Sequence, residues 1–267
     1  MNYDTAGDAA VISDLALQAG GANNEGMIPY VVLGKDQKVQ FLPELLEKPT
    51  RIQETVRFWD THSFVRYVLE FGDDLHARIF ADAGNRAVTC YLDYHLPSGT
   101  PAWCDHRAIL GMKPSNAWSA WSLQSNRWLT QEGLAEFLED RAEDIASPPA
   151  ARVIQAASHL EAKKGVAFVS AVNVQGGGTE FTYTEKSEAK GKGTLTIPNR
   201  LTLEIPVFEY GKPRKVEVRL RYKIHEDKVT FLLAVARLQE HPAEAFQDVL
   251  NDLTAAGLTD IFLGVRG

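Results

Sequence analysis

Asp93 and His95, in the stretch YLDYH, and Asp105 and His106, in WCDH, put two carboxylates and two imidazoles into two short runs of chain. If these runs are adjacent strands turning at Ser98 and Gly99, Asp93 lies opposite Asp105 and on the same face as His95, with His106 on the other face. Carboxylate and imidazole ligands suit zinc, iron or manganese, and a cation held by them can activate water for hydrolysis. Asp93, His95 and Asp105 are therefore the candidate metal ligands, and a divalent metal is the one cofactor the sequence offers. Two carboxylates directly opposite destabilise a ladder unless Arg107 or a cation compensates. The competing structural reading is that these groups bond to loop backbone or to one another, and a one-residue slip of register scatters them.

No other stretch carries a catalytic pattern. There is no G-x-S-x-G elbow, and neither Cys90 nor Cys104 stands at a helix start that would lower its pKa. Gly176, Gly177 and Gly178 are not followed by Gly-Lys-Ser/Thr, so they read as a loop and not as a phosphate cradle. A binding role has more support. In KVEVRLRYKI, Val216, Val218, Leu220, Tyr222 and Ile224 alternate strictly with Lys215, Glu217, Arg219, Arg221 and Lys223, which makes one face apolar and the other basic. Lys212 and Arg214 extend the positive run, and Phe208 and Tyr210 precede it. Basic residues interleaved with aromatics can follow a phosphate backbone and stack bases. The competing reading is a solvated strand face whose charges block edge-to-edge pairing. Trp103, Trp118, Trp121 and Trp128 are either core residues or a contact surface.

The elements that must position these residues can be read from periodicity. Asp4, Asp8 and Asp14 accompany a short amphipathic helix at the N-terminus, the reverse of a secretory charge pattern. A strand over 28–33 and a short helix over 42–50 follow. Phe64, Tyr67, Val68 and Phe71 recur at helical spacing between a cap at Thr61 or Ser63 and the terminator Gly72. The period then falls to two over 76–81, 86–95 and 102–110, three strands of an antiparallel meander. TQEGLAEFLEDRAEDIA is a helix with Leu134, Phe137, Leu138 and Ile145 inward and an acidic outer surface of Glu132, Glu136, Glu139, Asp140, Glu143 and Asp144. Ser147, Pro148 and Pro149 break the chain ahead of a helix over 150–164. From Gly165 strand candidates dominate and predict a second meander, with TEKSEAKGKGT as a polar loop or the end of a long hairpin. A helix from Pro242, with Phe246, Val249, Leu250 and Leu253 inward, and a last strand DIFLG close the chain. The sequence thus predicts an α+β fold of two antiparallel β-meanders flanked by amphipathic helices. A soft boundary divides an N-terminal half, 1–147, from a β-rich C-terminal half, 148–267.

Composition narrows the partners. The chain of 267 residues is 45% hydrophobic and 24% charged, enough to bury a substantial core. No apolar run approaches the roughly 18 residues a membrane helix needs, so no membrane partner is expected. Two cysteines are too few to staple a chain of this size and point to free thiols in a reducing cytosol. A net charge of −7 opposes bulk attraction to nucleic acid, so binding of that kind requires a local basic patch.

The order of DTHSFVRYV, YLDYH, PAWCDHRA, the tryptophan pair, QEGLAEFLEDRAEDI, the Pro-Pro break, KGVAFVSAV, LTIP, FEYGKP and VEVRLRYKI resembles the YfdQ-like family of uncharacterised phage and prophage proteins. The resemblance covers nearly the whole chain. It implies a phage-encoded accessory protein in the host cell cytoplasm, carried near genes for recombination or DNA metabolism, and implies no catalytic residues. The leading expectation is a non-enzymatic protein that binds nucleic acid or a host nucleoprotein as a homo-oligomer, through Lys212, Arg214, Lys215, Arg219, Arg221 and Lys223 with Phe208 or Tyr210 stacking. A metal-dependent hydrolase and a structural self-assembling protein are the alternatives.

Overall fold

In the computed structural model the described residues are 30–33, 38–41, 51–158, 179–182, 194–225 and 228–266, with positions 11, 46, 48 and 49. The expected N-terminal helix, most of the expected 42–50 helix, the strand candidate 165–174, the three glycines 176–178 and most of TEKSEAKGKGT lie outside them. The chain forms two compact units, Met1–Thr55 and Val56–Gly267. The first contains an antiparallel hairpin of β1 (Tyr30–Leu33) and β2 (Lys38–Phe41).

The second unit is α+β, as the change of period predicts. Its first sheet has the order β14-β4-β5-β6-β3, built from β3 (Thr55–Phe58), β4 (Arg78–Asp82), β5 (Ala87–Tyr91), β6 (Arg107–Gly111) and β14 (Ile261–Leu263). Strands β4 to β6 are the first antiparallel meander, and β14 returns parallel to β4. Helix α1 (Thr61–Phe71) buries Phe64 and Val68. Its cap is Asp60, not Thr61 or Ser63: the Asp60 carboxylate accepts the Ser63 N–H at 2.8 Å. That bond holds the Asp60 carboxyl below its ordinary pKa of 3.8. A depressed pKa contributes stability that is present above 3.8 and is lost as pH falls through the folded value. Asp60→Ala is therefore expected to destabilise the protein by about 1 kcal/mol at pH 7. Urea denaturation across the acid range should show that difference closing as the wild-type carboxylate protonates.

The second sheet has the order β7-β13-β12-β11-β8 and is antiparallel throughout. Its centre is the second meander: β11 (Arg200–Pro206), β12 (Pro213–His225) and β13 (Lys228–Val235). Its edges are β7 (Trp128–Thr130) and β8 (Ile145–Ser147), so strands from both sides of the Ser147–Pro148 break share one sheet. Val216, Val218, Leu220, Leu201, Leu203, Phe231 and Leu233 form its buried side. A further antiparallel pair joins β9 (Thr179–Thr182) to β10 (Thr194–Ile197).

Helix α2 (Asn116–Gln124) is capped by Ser115 and buries Trp118 and Trp121. Helix α3 (Gln131–Asp140) is shorter than its pattern predicts. A single 3-10 turn, Ala142–Asp144, follows it, and Ile145 is buried as the first residue of β8 instead of on a helical stripe. Helix α4 is Ala150–Ser158, and α5 (His241–Ala255) buries Phe246, Leu250 and Leu253 with Val249 half-buried, as its spacing predicts. Gly257 ends that region at φ +99°, a conformation glycine adopts without a Cβ penalty. Residues of both five-stranded sheets and of the five helices among the described residues contribute to one contiguous core.

Candidate nucleic-acid interface

The structure does not gather the candidate metal ligands Asp93, His95 and Asp105 into one cluster. The first meander ends earlier than its alternation implies: the last rung is Tyr91 opposite Arg107, and beyond it only the Leu92 N–H reaches His106 O. Two local features stop the ladder. Cys104 has φ +58°, which extended strand cannot accommodate, and the Asp93 carboxylate accepts the backbone N–H of Asp105 at 3.0 Å and of His106 at 3.1 Å. Both Asp93 oxygens are thereby engaged with backbone.

His95 Nδ1 accepts the Ala102 N–H at 2.9 Å, which puts the neutral ring's proton on Nε2, 3.9 Å from Cys104 Sγ. A protonated Nε2 donates to sulfur and cannot take the thiol's proton, so the pair is not a base-activated nucleophile. His106 points to the other side, as its parity predicts, and meets Tyr67 Oη of α1 at 2.8 Å. Among the described residues no group of three or more His, Cys, Asp or Glu side chains is arranged to hold a metal ion. Both cysteines are free and buried, and burial pushes the Cys90 thiol up to about 12.

The basic run divides into two parts. At its start, Lys212 Nζ is 2.7 Å from Asp252, while Arg214 bonds Glu244 at 2.7 Å and Asp248 at 3.0 Å. Helix α5 therefore holds Arg214 in a part-buried ion pair and places a carboxylate beside the exposed Lys212, next to a cleft of about 270 Å³ also lined by Asp60, Tyr210 and Val249. Phe208 is 4% exposed and belongs to the core, so it cannot stack a base. Tyr210 is 79% exposed, in a turn at φ +59°, at the end of the run that faces the acids of α5.

The remainder of β12 behaves as its alternation predicts. Lys215, Arg219, Arg221 and Lys223 are exposed on the outer side, opposite the buried Val216, Val218 and Leu220. Register adds neighbours the sequence alone could not supply. Arg200 of β11 stands directly across from Arg219, and on the other flank Arg221 pairs with Leu232, which pairs in turn with Trp128 of β7. Trp128 is 43% exposed, and Lys223 Nζ sits 4.3 Å from its ring centroid. Glu217 is shared between Arg200 at 3.2 Å and Arg219 at 3.5 Å, all three groups well exposed, so these contacts fix little. Lys215 faces the exposed Glu204 across the ladder. Among the described residues the outcome is a set of exposed cations, Arg200, Arg219, Arg221 and Lys223, on one side of the sheet, with Glu217 among them and the exposed Trp128 indole at the β7 edge beside Lys223.

Sequence reasoning left Arg200 and Trp128 out of the site. Arg200 opens a strand of mostly apolar residues, and Trp128 lies roughly 90 residues from β12; only the strand order joins them. Of the four clustered tryptophans, Trp118 and Trp121 are core, whereas Trp103 and Trp128 are exposed.

The helices of the described residues include none long and apolar enough to cross a membrane. No curated protein and no solved structure matches the chain. Residues 5–266 match the family model described as uncharacterised conserved protein (DUF2303), and the chain belongs to that family.

Proposed function

We propose that this protein is a non-catalytic nucleic-acid-binding protein that holds a strand on the outer face of its second sheet. Arg200, Arg219, Arg221 and Lys223 contact phosphates, and Trp128 stacks a base. The observation that carries this reading is that four exposed cations and an exposed indole share one side of the sheet among the described residues, on a chain whose net charge is −7. A negative molecule does not gather like charges on one face without a cost in self-repulsion, and a bound polyanion offsets that cost.

The cation–π contact of Lys223 does not block the indole. An exposed contact of this kind is worth about 0.5–1 kcal/mol, against about 1–3 kcal/mol for a stacked base. An arriving nucleotide therefore displaces the ammonium toward its own phosphate. The exposed acids of α3, Glu132, Glu136, Glu139 and Asp140, are a rival complement for the same face, and self-association through them would compete with a bound strand. The resemblance to phage and prophage proteins fits an accessory role in phage DNA metabolism or recombination inside the host cytoplasm.

The test is fluorescence anisotropy of a labelled oligothymidylate of about 20 nucleotides, a length covering more than one binding site of this size, titrated with nuclease-treated protein at low salt. Saturable binding is expected. Its absence at every attainable protein concentration removes the reading.

A further inference from the structure

The outer side of the first sheet is half-buried along its centre and exposed at its β14 edge. Along β4 to β6 burial alternates: Ile79, Ala81, Val88, Cys90, Ala108 and Leu110 are buried on the inner side, and Phe80, Thr89, Arg107 and Ile109 are half-buried on the outer side. On that outer side four aromatic rings form an unbroken row. Phe262 of β14 stacks on its ladder partner Phe80 with centroids 5.5 Å apart and planes at 28°. Phe80 lies 5.8 Å from Tyr91 and 5.5 Å from Tyr94. Two guanidinium groups lie over the row: Arg107 and Arg266 are each 5.3 Å from the Tyr91 ring centroid, and Arg266 is 5.9 Å from that of Tyr94, while Arg107 Nε donates to the Cys104 carbonyl at 2.8 Å. The Asp82 and Asp93 carboxylates nearby are both turned onto backbone N–H groups.

Cross-strand aromatic pairs stabilise sheets wherever they occur, and packing alone accounts for Tyr91, which is almost fully buried. Packing does not account for Phe262, which is 51% exposed at the open end of the row and is followed by the exposed Leu263 and Val265 and by Arg266. Aromatic rings at neighbouring positions of a sheet, flanked by arginines, offer what an unpaired nucleotide needs: a π-surface for the base and a cation for the phosphate. A duplex keeps its π-faces inside its own stack and cannot use such a surface.

We propose that the β14 edge of this face is a stacking platform for unpaired nucleotides, with bases on Phe262 and Tyr94 and a phosphate on Arg266. The inference rests on the nucleic-acid reading above and adds the type of strand. The test uses Phe262→Ala and Phe262→Leu in the full chain, with thermal melting to confirm that both fold. Each is titrated against the labelled oligothymidylate and against a labelled duplex of equal length.

Both variants are expected to bind the single strand about tenfold more weakly, because leucine supplies apolar area but no π-face, and to bind the duplex as wild type does. Unchanged single-strand affinity, in a preparation whose wild type binds it, overturns the platform and leaves the basic face of the second sheet standing. Wild type that binds neither strand overturns both. Light scattering gives a third outcome: if Phe262→Ala converts a dimer to a monomer while oligonucleotide affinity stays the same, the face is a contact between copies and the platform is wrong.

Discussion

Replacing Arg219 and Arg221 together by alanine should weaken binding of the oligothymidylate by roughly 20-fold at 0.1 M salt and flatten its salt dependence by a slope of about 1.4, the share of two phosphate contacts on a single strand. Both side chains stand on the solvent side of β12, and neither is needed by the core beneath, so thermal stability should change by less than about 0.5 kcal/mol. The matched control is Lys212→Ala with Arg214→Ala. Those two cations already face Asp252, Glu244 and Asp248, and removing them should leave oligonucleotide affinity near the wild-type value. If the control variant loses affinity and the Arg219/Arg221 variant does not, the interface is at the other end of the ribbon.

The second large effect concerns the core on which the interface stands. Trp121 is 1% exposed, packs edge-on against Phe137 at 4.9 Å, and donates its indole N–H to Asp144 at 2.8 Å. Asp144 ends the 3-10 turn from which the chain enters β8, so one side chain ties α2 and α3 to the edge of the second sheet. Trp121→Ala removes a large buried ring and orphans part of a half-buried carboxylate, and should cost about 3–5 kcal/mol. That is a large fraction of the roughly 5–15 kcal/mol by which a domain is stable. Trp121→Phe keeps most of the volume and should cost nearer 1–2 kcal/mol, the share of the hydrogen bond. Urea midpoints at constant m-value measure both; near-wild-type midpoints for Trp121→Ala would mean that the indole is not a structural tie.

Much of the fold is legible in the sequence because burial imposes a period. Phe64 and Val68 on α1, the strict alternation of β12, and Phe246, Leu250 and Leu253 on α5 each show their element directly. Legibility fails where a polar side chain or an unusual backbone angle overrides the period. The run 102–110 alternates like a strand, yet Cys104 turns into left-handed space and Asp93 captures the two following amides, so the ladder stops short of the residues that a metal site would need. Ile145 fits a helical stripe as well as a strand start, and only pairing with Leu203 of β11 decides between them.

The candidate site was half legible for a related reason. Alternation along one strand shows that Arg219, Arg221 and Lys223 share a face, but says nothing of what lies across the ladder. Arg200 and Trp128 enter through register with β11 and through the long-range pairing of β7 with β13. The same tertiary information removes Lys212, Arg214 and Phe208. Two of them meet the acids of α5, whose outward side looks like an ordinary solvated helix when read alone, and the third fills the core.

The salt dependence of oligothymidylate binding by the unmodified chain tests the central claim most directly, because each phosphate neutralised by a lysine or arginine releases counterion in fixed proportion. The four cations of the second sheet should contribute a slope of about −3 to a plot of log affinity against log salt, and any phosphate held on the first sheet steepens it further. Affinity that does not change between low and physiological salt would contradict an interface built on Arg200, Arg219, Arg221 and Lys223.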